Sequence, residues 1–274
     1  VDIEAYAGQG RAWEGGLVVI EPVLDARPRT VTRPVPASID AFAQLVGRHA
    51  SLLDVKRRAA RVARTTAPVL LIGESGSGKE SLARGIHQAS AQSAGPFVTV
   101  HCGALPRETA CRELFGGDER GGRLAEAARG TLFLDEVGTL PPDAQVALLN
   151  ILQRETGDGA TGAARVRIVA ASERPLAGEV TAGRFRADLF YRLRVPSLRL
   201  PSLRERREDL PLLVDCILAR LDATHGLGRK RVTSALIGVF EHYEWPGNVR
   251  ELQGVLESMY VLAEGDELNV ADLP

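Results

Sequence analysis

The sequence predicts an α/β fold, a parallel sheet with helices on both faces, followed by a small helical unit. Three observations point there. Val69, Leu70, Leu71 and Ile72 form a short apolar run, and Gly73, Gly76 and Gly78 break the chain behind it. That pattern is a strand buried on both faces, a turn, and a helix starting near Lys79. A second run, Thr131, Leu132, Phe133 and Leu134 after Gly130, ends in the adjacent carboxylates Asp135 and Glu136. Beyond Arg204 strand patterning stops and helical apolar spacing takes over.

Taken in order, residues 1–36 stand apart. Gly15-Gly16 before Leu17, Val18, Val19 and Ile20 reads as a turn and a strand, and the Pro- and Arg-bearing segment 27–36 as a linker. The expectation is the tail of an upstream domain, with a structureless leader as the alternative. An α/β domain is expected over 37–204. Ser51 is placed as the cap of a helix burying Leu52, Val55, Val62 and Ala63, with Lys56, Arg57, Arg58 and Arg61 mostly on a solvated face. Leu82 and Ile86, four apart, bury the helix that follows Lys79. Residues 97–100 and 166–171 read as strands, and Leu198 and Leu200 mark another. Pro141-Pro142-Asp143 opens an apolar helix over 144–153. A helical domain is expected over 205–274, with helices at 210–221, 233–243 and 249–263. The basic run Arg229-Lys230-Arg231 reads as a solvated loop.

Composition sets bounds. At 274 residues, 45% hydrophobic and 25% charged, the chain fits one or two globular domains. Its net charge of −1 gives no global attraction to nucleic acid or membrane, so such contacts must be local. Three cysteines, Cys102, Cys111 and Cys216, lack metal-ligand spacing and are too few for a disulfide framework, which fits a reducing cytoplasm. No apolar run approaches 18 residues, and no leader pattern opens the chain, so no membrane partner is expected. The start at Val1 and the stop at Pro274 suggest a piece of a longer protein.

The first apolar run carries the chemistry. Gly73, Glu74, Ser75, Gly76, Ser77, Gly78 and Lys79 fit G-x-x-x-x-G-K, with Glu80 and Ser81 next. Glycines let the backbone curl with its N–H groups inward, so that oxyanions approach without a Cβ in the way. The helix N-terminus adds partial positive charge, and the Lys79 ammonium can reach the β- and γ-phosphates of a nucleotide. Glu80 stands where a magnesium-contacting hydroxyl is usual. A glycine-rich turn that binds nothing is the competing reading for the loop alone. Asp135 and Glu136 shift the balance, because carboxylates ending a parallel strand lie beside such a loop. Asp135 would hold Mg²⁺, directly or through water, and Glu136 would polarise an attacking water.

The order of motifs resembles the AAA+ domain of bacterial enhancer-binding proteins, the sigma-54-dependent transcriptional activators. The likeness runs from about Leu45 to Pro274. It includes Leu45-Val46-Gly47-Arg48, the loop through Glu80, Glu113-Leu114-Phe115-Gly116, and Gly130 to Glu136. It continues through Phe185-Arg186-Ala187-Asp188-Leu189-Phe190-Tyr191-Arg192-Leu193, Leu203-Arg204-Glu205-Arg206, and Trp245-Pro246-Gly247-Asn248-Val249-Arg250-Glu251-Leu252. Gly-Lys-Glu is common in this family, which accounts for Glu80. The resemblance implies ATP with Mg²⁺, Val46 and Gly47 against the adenine, Arg186 and Arg192 as arginine fingers reaching a neighbouring subunit, and Arg250 as a phosphate sensor on the helical domain. It also implies self-assembly into a ring, hexamer or heptamer, action on RNA polymerase or a related activator, and DNA contact through a domain outside these residues.

The sequence departs from that family in two loops and two polar positions. The sigma-contacting loop, Gly-Ala-Phe-Thr-Gly-Ala in the family, belongs after Gly116. Here residues 117–129 hold no aromatic residue and run straight to the carboxylate strand. Residues 154–165 replace a longer hairpin with a polar, Gly-rich connector. His101 and Glu173 stand where the family usually has asparagines. The expectation is therefore an ATPase, slow if active, that does not remodel sigma-54 polymerase by itself. A non-hydrolysing, nucleotide-dependent assembly module acting through a partner or the housekeeping polymerase is the alternative.

Overall fold

The alternation within each strand sets the architecture. In the computed structural model, which describes residues 39–116, 121–154, 166–228 and 230–274, a 3-10 turn at Ile39–Phe42 precedes helix α1 (Ala50–Ala63) and strand β1 (Val69–Ile72). Then come α2 (Lys79–Gln88), β2 (Phe97–His101), α3 (Ala110–Phe115), α4 (Arg123–Glu126), β3 (Thr131–Asp135) and α5 (Pro142–Arg154). β4 (Arg167–Ser172), α6 (Leu176–Thr181), α7 (Ala187–Leu193) and β5 (Ser197–Arg199) complete the α/β part. A 3-10 segment, Leu203–Asp209, leads into α8 (Leu210–His225), β6 (Arg231–Val232), α9 (Ser234–His242), α10 (Asn248–Leu262) and β7 (Glu267–Leu268).

Strands β1 to β5 make one parallel sheet in the order β2-β3-β4-β1-β5. Successive side chains point to opposite faces. Leu70, Leu132, Leu134, Ile168 and Ala170 pack on one face with Leu114, Leu148 and Leu189, from α3, α5 and α7. Val69, Leu71, Phe133, Val169 and Ala171 pack on the other with Leu52, Val55, Leu82 and Ile86, from α1 and α2. Both faces are covered, so the strands are continuous apolar runs. A third cluster joins Leu203, Leu213, Ile217, Leu236, Phe240, Trp245, Leu252, Leu256 and Tyr260 in the helical part.

Several expectations need correction. Ser51 lies inside α1; His49 caps it, its ring nitrogen accepting from the Ser51 amide. Lys56 is buried, not solvated, because its ammonium lies near the buried Asp209 as well as Arg206. The basic run 229–231 is not simply a loop: Lys230 is buried, donates to the Ala263 carbonyl, and lies over the Tyr260 ring. Strand pairing also continues past Arg204, since Arg231–Val232 pairs in parallel with Glu267–Leu268. The features expected in 1–36, residues 117–120 and 155–165 of the two altered loops, and Arg229 lie outside the described residues; the rest of the first loop carries the short helix α4. Among the described residues no helix is long and apolar enough to cross a membrane.

Trp245 anchors the helical part. It is 2% exposed, donates its indole N–H to the Phe240 carbonyl, and meets Phe240 and Tyr243 edge-on. Trp245→Ala is expected to destabilise this unit by about 3–5 kcal/mol, read as a lower urea midpoint by circular dichroism. An unchanged midpoint would contradict the packing.

Candidate nucleotide site

The carboxyl ends of β1, β3 and β4 bring three loops together, the edge where open parallel sheets bind ligands. The turn after β1 curls because Gly76 and Gly78 take left-handed φ values of 68° and 104°. A side chain on Gly76 would run into the Gly247 carbonyl. Lys79 begins α2, is buried, and donates to the carbonyls of Gly73 (2.8 Å) and Glu74 (3.0 Å). Burial lowers its pKa from the ordinary lysine value, opposed chiefly by Asp135, then Glu173 and Glu136.

Asp135 ends β3 directly opposite His101 on β2. The His101 Nδ1 lies 3.3 Å from one Asp135 carboxylate oxygen, and the other oxygen is buried with no hydrogen-bond partner. Glu136 takes the left-handed conformation, φ 56°, unusual for a glutamate, and the Thr139 hydroxyl donates to its carbonyl at 2.8 Å. A side chain at Gly103 would sit 2.9 Å from the Glu136 carboxylate, so this glycine leaves the carboxylate room.

These groups line a cleft of about 650 Å³ between the α/β and helical parts. Segment 44–46 and the lid contribute Leu45, Val46, Leu213 and Ile217 together with Gln44, Arg206 and Arg220; the sheet edge and its loops gather Ser75 to Ser81, His101, Asp135, Glu136 and Glu173, with Arg250 from the lid. Arg250, near the start of α10, donates to the Ser75 hydroxyl at 2.8 Å. Apolar side chains such as these suit a flat base, and a glycine cradle with lysine suits phosphates. The residues also fit a magnesium ion: Asp135 holds a buried, unpartnered oxygen, as does the Ser77 hydroxyl in the loop. Magnesium is ordinarily held by one or two carboxylates together with substrate phosphates.

Most expected site residues converge here, but not all. Val46, Ser75, Gly76, Ser77, Gly78, Lys79, Glu80, Ser81, Asp135, Glu136 and Arg250 line the cleft. Gly47 does not: with φ 146° it packs against Asp209 and Leu52, where any Cβ would collide. Gly73 and Glu74 stand behind the loop, and the Glu74 carboxylate pairs with Arg204. Arg186 and Arg192 lie away from this cleft; Arg186 forms a two-point ion pair with Asp188, and Arg192 faces the Leu152 carbonyl. Leu213 and Ile217, outside every motif, also line the cleft, as does Arg206, which ends the Leu203-Arg204-Glu205-Arg206 motif without an expected role there. The first two have ordinary helix-core spacing.

A five-stranded parallel sheet with a phosphate loop after its first strand, a strand-end carboxylate pair and a helical lid over the loop defines the AAA+ class of P-loop ATPase domains. Within it, the chain belongs to the sigma-54 interaction domain family, which matches residues 45–199, and residues 204–274 match the AAA+ ATPase lid domain. The chain is 40% identical over 262 residues to the transcriptional regulatory protein ZraR of Salmonella typhimurium, covering 91% of this chain and 59% of that protein. It is 44% identical over 243 residues to the response regulator PilR of Pseudomonas aeruginosa, covering 84% and 55%. The structure of NtrX from Brucella abortus in complex with ATP superposes with a TM-score of 0.79 at 34% identity, covering 84% of this chain and 54% of that one. The chain thus spans between half and three-fifths of the length of these relatives.

The cysteines give a test of this geometry. Burial, then the nearby Asp135, pushes the Cys102 thiol up to about 12, while Cys216 lines the cleft half-buried. At pH 8 the Cys102 thiolate fraction is roughly one in ten thousand. Iodoacetamide is expected to label Cys216 in the folded protein and Cys102 only after unfolding, as read by peptide mass spectrometry. Rapid labelling of native Cys102 would contradict its placement.

Proposed function

We propose that this chain binds ATP in the cleft and hydrolyses it slowly as a ring-forming AAA+ module, hexamer or heptamer, of a bacterial transcriptional regulator. The α/β part, about 37–204, grips the phosphates, and the lid, about 205–274, closes over the base. The observation that carries this is the convergence of Lys79, Asp135, Glu136 and Arg250 on one glycine-rich turn. The solved relative in complex with ATP supports the ligand.

Lys79 and the loop amides hold the β- and γ-phosphates, and Arg250 reports their presence to the lid. A magnesium ion at Asp135 would neutralise phosphate charge. Glu136 accepts a proton from the attacking water, whose oxygen bonds to the γ-phosphorus as the bond to the bridging oxygen breaks and ADP leaves with the electron pair. Arg186 and Arg192, distant from their own cleft, act on a neighbour's γ-phosphate. Glu173 and His101 slow the step: Glu173 adds negative charge beside the γ-phosphate, and His101 competes for the Asp135 carboxylate.

The segment after Gly116 lacks the aromatic grip of the sigma-contacting loop, so the ring works through another partner, the housekeeping polymerase or a related activator. DNA is reached through a domain outside these residues, in the cytoplasm. The second reading, an assembly module that binds nucleotide without turnover, is favoured by the same two residues, His101 and Glu173.

ATPase activity per subunit is expected to rise with protein concentration. Arg186→Ala should abolish that rise, an assisting arginine being worth about 10³–10⁵ in rate. Glu136→Gln should lower turnover by about 10²-fold or more while ATP binding persists. Activity flat with concentration would refute the shared site, and binding without turnover in the wild type would favour the second reading. In an open-complex assay with sigma-54 polymerase the full-length protein is expected to give no activation; activation would sink the claim about the loop.

A further inference from the structure

A phosphate loop with its amides turned inward has its carbonyls turned outward, and buried carbonyls need donors. Here those of Gly73 and Glu74 accept from Lys79. Those of Ser75 and Gly76 accept from the lid: the Asn248 side-chain amide donates to the Ser75 carbonyl at 2.9 Å, and the Val249 backbone N–H to the Gly76 carbonyl at 3.1 Å. Asn248 is fully buried and does not itself line the cleft. Its amide nitrogen also lies 3.2 Å from the Glu74 carboxylate, which Arg204 holds from the other side. Its carbonyl oxygen accepts from the Leu203 N–H at 2.7 Å, where the lid joins the α/β part.

Asn248 also has φ 53°. Among residues with a side chain, asparagine and aspartate tolerate that conformation best, because their short polar groups bond locally. One side chain therefore ties together the loop, the start of the lid helix and the connecting segment.

We propose that Asn248 is a positioning residue for nucleotide binding: it holds the outward carbonyl side of the phosphate loop, so that the inward amides are set before phosphate arrives and lid angle and loop shape change together. This rests on the reading of the cleft as a nucleotide site. Unlike Arg250, Asn248 needs no phosphate contact to act.

The test is Asn248→Asp. It keeps size, tolerance of φ and the acceptor for Leu203, but replaces the donors facing Ser75 and Glu74 by oxygens. Binding of a fluorescent ATP analogue and of the matching ADP analogue, with magnesium, should weaken about tenfold or more for both, one decade corresponding to about 1.4 kcal/mol. Hydrogen exchange in the nucleotide-free protein should show the Ser77 and Val249 amides, the bonded ones at the loop, losing protection while the Trp245 core keeps its own. Adding Glu74→Gln should recover part of the affinity by removing one repulsive charge, a rescue that general destabilisation would not give. If Asn248→Asp fails to fold, Asn248→Gly, which meets the φ requirement, takes its place in the exchange and binding measurements.

Unchanged loop exchange, or affinity within about twofold of wild type in the folded variant, well short of the expected decade, overturns the proposal. Failure of the wild type to bind either analogue would instead overturn the nucleotide reading, and loop exchange would still decide the role of Asn248.

Discussion

Backbone polarity is the constraint on which the rest depends. A chain that turns successive N–H groups toward one centre must satisfy the carbonyls on its reverse side, since a buried unpaired group costs about as much as a lost hydrogen bond. The sheet can supply only part of that, because β1 ends at Ile72 and its ladder ends with it. Lys79 covers two carbonyls, and the start of α10 covers two more. The lid is therefore part of the phosphate loop's hydrogen bonding as well as one wall of the cleft.

The same junction carries buried charge. The Asp209 carboxylate accepts the amides of Arg48 (2.6 Å) and His49 (3.0 Å), while Arg206 lies 3.8 Å from it and donates to the Val46 carbonyl. Burial lowers the pKa of both Arg206 and Lys56, the two cations beside this one carboxylate. Replacing a buried pair by apolar groups is often neutral, whereas leaving one charge alone is costly. Asp209 and Arg206 thus fix the segment 46–49 against the base of the lid, Asp209 through the Arg48 and His49 amides and Arg206 through the Val46 carbonyl, and Val46 reaches the cleft from there.

The sheet was legible because its strands are covered on both faces. Val69 to Ile72 and Leu132 to Leu134 admit no solvated alternation, and the glycines after Ile72 mark a turn into which side chains would not fit. Helices α3, α4, α6 and α7 escaped notice because each is too short to show more than one or two turns of apolar spacing. The two-residue strands β6 and β7 carry no pattern at all. Lys56 and Lys230 misled for another reason: residue type gives a preference for solvent, and only tertiary partners reveal a buried exception. Gly47 stood out for its missing Cβ, yet the atoms demanding it belong to Leu52 and to Asp209, the latter about 160 residues away along the chain. The motif carrying Asn248 was recognisable, but what a buried amide satisfies follows only from the fold.

Arg186 keeps its guanidinium folded back on Asp188, at the mouth of α7 and open to solvent. Such a contact is weak in water, so surrendering it demands little, while it stops a bare cation from sampling arbitrary acidic surfaces. The arm is sheathed rather than locked: the guanidinium carries its own decoy carboxylate, and any anion offered to it has only that weak hold to displace.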